Sequence, residues 1–235
     1  EDPLSDLEEA ILASLETGEP VLLGAAPGGA VYPANLHLAH YQSGTRLVGR
    51  CAQLVSLDGA GAERPTVYVT VGDFELADLT ISGGTMGVLL ASASTARLQL
   101  RDVVLRDNLL YGLVADGSGS TLELIRVSVL DTETLDEFQG NPMATTGFGL
   151  VARNGGQVVG EDLRFDGNRG FSVLASEAGS HVTFARATIG DTLNGEGVAH
   201  AVTVQAGDAA GPDGEPRYRS ARPWPVQESD VVVAS

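Results

Sequence analysis

Aliphatic residues recur along this chain at intervals of 24, with Leu57, Ile81, Leu105 and Val129 ending successive copies of one short motif. The next equivalents are Phe165 and Ile189, so the interval widens to 36 once and then returns to 24. One copy therefore carries a twelve-residue insertion. A unit this short cannot bury its own apolar face and must stack on its neighbours, which makes the chain a solenoid. Residues 1–204 read as one domain, a repeat region preceded by a cap at about 5–17, and 205–235 as an irregular tail or end cap. That tail holds Pro212, Pro216, Pro223 and Pro225, with a last strand at Val231 to Val233.

Within each copy the apolar residues alternate. Two positions before the endpoint stand Val55, Leu79, Val103, Val127, Leu163 and Ala187; five before it stand Leu76, Leu100, Leu124, Gly160 and Phe184. Two short strands of period two, separated by a corner, account for this spacing. Outward positions carry polar or β-branched residues such as Glu75, Gln99, Thr80 and Ser128. A third strand follows at Val67 to Val69, Val88 to Leu90, Leu113 to Val114, Leu150 to Val151 and Val173 to Leu174. The connections are too short for a crossover helix, so the strands of successive coils stack in parallel, about 4.8 Å apart. The expected fold is all-β: a right-handed parallel β-helix of three sheets, about 24 residues per coil. A less regular first coil spans Val21 to Leu38.

The segments LVSLDGAG (54–61), LADLTISGG (76–84), LRDVVLRDN (100–108) and DLRFDGNRG (162–170) resemble rungs of the pectin-lyase-like parallel β-helix proteins. The resemblance covers about residues 20 to 204. It implies the architecture and leaves the activity open, since that superfamily holds lyases, hydrolases, esterases, epimerases and adhesins. Upstream, Ser5, Asp6, Leu7 and Glu8 form a capping-box pattern, and Leu7, Ile11, Leu12 and Leu15 recur at helical spacing until Gly18 and Pro20. The spacing predicts a helix over 5–17, laid across the open end of the solenoid to cover its unpaired strand edges.

Charge limits the partners. A formal net charge of −17 disfavours nucleic acid and anionic membrane surfaces, and no run of about 18 apolar residues is present to span a bilayer. All fourteen cations are Arg, which removes lysine chemistry. The single Cys51 excludes an intrachain disulfide and reads as a small buried hydrophobe. The corner column, three before each endpoint, is Asp78, Asp102, Arg126, Asp162 and Arg186; stacked in register, it sets Arg126 between Asp102 and Asp162.

The histidines form no close metal pattern, and His37 and His40, three apart, fall on opposite faces of a strand. There is no GxSxG elbow. The superfamily's lyases imply an acidic Ca²⁺ cluster with a basic residue, and its hydrolases imply clustered Asp with a Gly-His-Gly segment. Neither set stands in this sequence, so no catalytic residue is assigned and no cofactor is implied. Turn residues two past the endpoint include Asp107 and Asp131, on adjacent coils, the positions where Ca²⁺ would find oxygen ligands.

The insertion lies in Thr132 to Phe148, and long loops are where solenoids place specificity. Glu133, Asp136 and Glu137 concentrate negative charge there, Phe138 offers an apolar contact, and Arg153, Arg164 and Arg169 are the basic residues nearby. The turn at 192–200 occupies the equivalent place on a later coil and would line the same groove. The candidate ligand residues are thus Glu133, Asp136, Glu137, Phe138, Arg153 and Arg164. The leading expectation is a non-catalytic module, extracellular or on the cell surface, that binds polysaccharide or another protein. The rivals are a carbohydrate-active enzyme (lyase, hydrolase or epimerase) and a plain spacer. Oligomeric state is not legible.

Overall fold

The computed structural model describes residues 3–25, 27–39, 42–61, 64–92, 94–134, 137–138, 141–142, 147–190, 200–205, 219–220 and 229–234. Helix α1 (Pro3–Thr17) precedes a first coil of β1 (Val21–Leu23), β2 (Ala30–Pro33) and β3 (Leu36–Leu38). The second coil is β4 (Arg46–Gly49), β5 (Val55–Asp58) and β6 (Pro65–Val69); the third is β7 (Gly72–Ala77), β8 (Thr80–Ser82) and β9 (Met86–Ala91). Then come β10 (Ala96–Arg101), β11 (Val104–Arg106) and β12 (Tyr111–Asp116), followed by β13 (Ser120–Ile125) and β14 (Ser128–Leu130). A short hairpin, β15 (Glu137–Phe138) and β16 (Asn141–Pro142), precedes β17 (Phe148–Arg153). The last coils are β18 (Gln157–Asp166) with β19 (Phe171–Ser176), and β20 (His181–Ile189) with β21 (His200–Gln205). Two tail strands close the chain, β22 (Arg219–Ser220) and β23 (Ser229–Ala234).

The result is a parallel β-solenoid of about six turns with about 24 residues per turn. Its register is the one the sequence period dictates. Leu57, Ile81, Leu105, Val129, Phe165 and Ile189 are direct partners on successive coils, as are Leu76, Leu100, Leu124, Gly160 and Phe184. These columns fill the interior, where Leu57, Leu76, Ile81, Leu98 and Leu105 have no exposed surface. Burying each such side chain stabilises by about 1.5–3 kcal/mol relative to leaving it in water. Gly160 breaks the aliphatic run, and the rings of Phe165 and Phe184, stacked 5.6 Å apart, lie beside it. A Cβ at Gly160 would fall 2.5 Å from Leu163 Cδ1 and 3.2 Å from the Phe184 ring, so the glycine makes room for the Leu163 and Phe184 side chains at interior packing density.

The three faces form two main sheets among the described residues rather than three. A 13-stranded sheet takes the first and second faces, and an 8-stranded sheet takes the third. The joining strands are β18 and β20, which run through the corner that interrupts the earlier coils. The third strand is apolar on both sides. Leu113 and Leu150 enter the core, while Val114 and Val151, 1% and 3% exposed, lie outside it. Tyr111, Phe148 and Phe171 stack ring on ring along the same face, with centroids 5.5 and 5.4 Å apart.

The helix starts at Pro3, whose missing N–H costs nothing at a first helical position. Ser5 therefore lies inside the helix instead of capping it. Leu7 and Ile11 are buried against the first coil, but Leu12 is 50% exposed and belongs to the outer side. Strand β23 adds antiparallel to β20, and β22 antiparallel to β21, so the last coil meets reversed strands. Thr80, expected to face outward, is 5% exposed because its hydroxyl donates to Ala52 O at 2.6 Å, beneath the wide corner at 50–54. Cys51 lies in that corner, half-buried rather than enclosed, with Sγ 3.6 Å from Gln53 Oε1.

Candidate functional site

The corner column sets charged residues in register on successive coils. Asp78, Asp102, Arg126, Asp162 and Arg186 all take left-handed backbone, with φ between 53° and 57°. One such residue turns the chain from the first face to the second, and its side chain points outward. Arg126 donates to both oxygens of Asp102, at 2.6 and 2.5 Å, and Arg186 to both oxygens of Asp162, at 2.6 and 3.0 Å, while also reaching Glu161. Arg126 lies between Asp102 and Asp162 in the column, as the register requires; its hydrogen bonds go to Asp102, and Asp162 acts on it as a nearby charge. Hydrogen bonds from these guanidiniums hold the Asp102 and Asp162 carboxyls below the usual aspartate range, against a smaller opposing effect of desolvation. Both carry fixed charge at neutral pH and do not exchange a proton there.

A depression of about 410 Å³ opens beside the turn that follows the second face. It is bordered by Asp131, Glu133, Arg164, Asp166, Gly167 and Arg169. Asn168, wholly buried beneath the turn, builds it: its Oδ1 accepts the Thr132 N–H at 3.2 Å and its Nδ2 donates to Val129 O at 3.2 Å. The Arg169 N–H donates to Thr132 O at 3.0 Å. With the turn so fixed, Arg169 Nε meets Glu133 Oε2 at 2.5 Å, and Arg164 Nη2 meets Asp166 Oδ2 at 2.6 Å. Gly167, at φ 67°, leaves space into which the Asp131 carboxylate leans.

Two expected residues, Glu133 and Arg164, meet here together with Asp131. Arg153 does not join them. It ends β17 on the third face, where Asp116 Oδ2 accepts its Nη2–H at 2.7 Å and Asn154 Nδ2 donates to Asp116 Oδ1 at 2.7 Å. Asp107, at the equivalent position to Asp131 on the adjacent coil, does not border the depression; its carboxylate lies 3.6 Å from Arg106 Nε. Among the described residues no three His, Cys, Asp or Glu side chains are grouped to hold a metal ion. Asp136 falls outside the described residues, and the side chains of Glu137 and Phe138 do too; their backbone forms the short hairpin. The turn at 192–199 and His40 also fall outside. His37 is exposed on the third face, stacked 4.9 Å from the Tyr68 ring, with Nε2 3.3 Å from Thr70 Oγ1.

Arg169 was placed near the insertion by the sequence, but its pairing with Glu133 and the contribution of Asp166 escaped it, although a signal was present. Glu133 and Arg169 each lie four residues past an endpoint, so stacking makes them neighbours; Arg164 and Asp166 flank an endpoint, so strand alternation sets them on one face. A second polar depression, about 240 Å³, lies on the first face around Arg46, Asp73, Glu75, Arg97 and Gln99. There Arg46 pairs with Glu75 at 2.7 Å and Arg97 with Glu123 at 2.7 Å. No described helix is long and apolar enough to cross a membrane. Compared with protein-family models, curated proteins and solved structures, the chain gives no significant match.

Proposed function

We propose that this chain is a pectin-lyase-like β-helix acting as a binding module, and that the depression beside the inserted turn holds part of a saccharide chain. The observation that carries the reading is the pairing pattern of that depression: two guanidinium–carboxylate pairs on adjoining turns. A guanidinium has five N–H donors and a carboxylate about four acceptor sites, so the Arg164 and Arg169 forks and the Glu133 carboxylate have more hydrogen-bonding capacity than one ion pair uses. Sugar hydroxyls, which donate and accept, match such a surface. The volume of about 410 Å³ falls within the roughly 300–1,000 Å³ of small-ligand sites. The displaced carboxyls, Asp102 and Asp162, belong to the corner column and are held ionised, which suits presentation of fixed charge better than general acid catalysis.

The test is affinity electrophoresis and calorimetry of the whole chain on a panel of neutral, amino and acidic polysaccharides, with assays for reducing and unsaturated ends. Retention without new ends is expected, weakened several-fold in Arg164→Ala and Arg169→Ala. Failure to retain any saccharide would sink the reading, and so would turnover of one.

A further inference from the structure

We infer that the same depression selects saccharides bearing protonated amines over neutral or acidic ones, an assignment that rests on the binding reading above. Three carboxylates and two guanidiniums line it. Asp166 takes Arg164 and Glu133 takes Arg169, and each pair is neutral as a unit. Asp131 remains, a carboxylate with no ion-pair partner among the described residues.

The position of Asp131 is set by its backbone. Its φ is 51°, its N–H donates to Asp166 O at 3.0 Å, and its carboxylate leans over Gly167, where any side chain would collide with it. It is therefore a preformed acceptor at the margin of the depression, exposed to solvent. An ammonium offers three donors and a full positive charge, and hydrogen bonds between ionised partners are about twice as strong as neutral ones. Hydroxyls on the same sugar would address the outer N–H groups of Arg164 and the free lone pairs of Glu133. The field of a chain with net charge −17 acts in the same direction, drawing in cations and repelling uronates.

The experiment compares fully deacetylated and fully N-acetylated glucosamine oligomers of equal length, binding to the whole chain at low salt. The deacetylated oligomer should bind about tenfold more tightly. Asp131→Asn, which tolerates left-handed backbone, should bring its affinity down to near that of the acetylated oligomer, whose own affinity falls much less. Asp73→Asn, exposed on the first face away from this depression, serves as control for the general field. Equal affinities for the two oligomers, no effect of Asp131→Asn, or an equal effect of Asp73→Asn would each overturn the inference while leaving the binding reading intact. Polylysine binding as tightly at matched charge would overturn its saccharide part. Absence of binding by either oligomer and by every neutral saccharide would mean that the binding reading itself had failed.

Discussion

At the scale of single residues, the corners carry the tension of this fold. Left-handed backbone costs an ordinary L-residue about 1–2 kcal/mol, and Asp accepts it more readily than most. Asp78 adopts φ 56°. Asp78→Gly should leave stability unchanged or raise it slightly, whereas Asp78→Val should lower it by about 1–2 kcal/mol, read as a shift in urea midpoint at constant slope. The paired corners respond to pH instead. Asp102 and Asp162 have carboxyls depressed in the folded state, so their contribution is complete above the ordinary aspartate value of about 3.9 and disappears as pH falls through the lower folded value. The double variant Asp102→Asn/Asp162→Asn should therefore flatten the acid limb of the stability–pH profile in that window. An unchanged limb would show that the pairs do nothing for folding. These charges could be read from the sequence as a column, but their division into two pairs depends on which carboxylate each fork reaches.

At the scale of elements, the two ends of the solenoid are managed differently. The first coil is closed by α1, through Leu7 and Ile11, and the last by the antiparallel strand β23. Ile11 is wholly buried. Ile11→Asp should place an unpaired charge against the first coil, detach the helix and expose the edges of β1 and β2, with concentration-dependent association seen by light scattering. A variant that stays monomeric with an unaltered melting point would show that the helix is not a cap. In the interior, Leu105→Ala should cost about 2–5 kcal/mol, as cavities in close-packed columns do. The helix and the columns were legible because both are periodic in apolar residues. The helix start was not, since Pro3 competes with the capping box at Ser5. Nor was the outer apolar side of the third strand, because a strand apolar on both sides carries no alternation from which to read direction.

At the scale of the whole molecule, stability is a sum of coils and their interfaces, so an added loop disturbs little. Excising residues 134–145 would return the Val129–Phe165 interval to 24. That deletion should keep the circular dichroism spectrum and a single unfolding transition; loss of cooperative unfolding would show that the insertion supports the stack. The sequence by itself determined the period, the strand register, the identity of the core columns and the place of the insertion, because stacking of short repeats admits one register that keeps aliphatic side chains inside. Only the tertiary structure decided that Glu133 meets Arg169, that Arg153 turns to Asp116 on another face, and that Asp131 has no ion-pair partner among the described residues. Side chains on the outside answer to reach and geometry across coils, which the apolar period does not constrain.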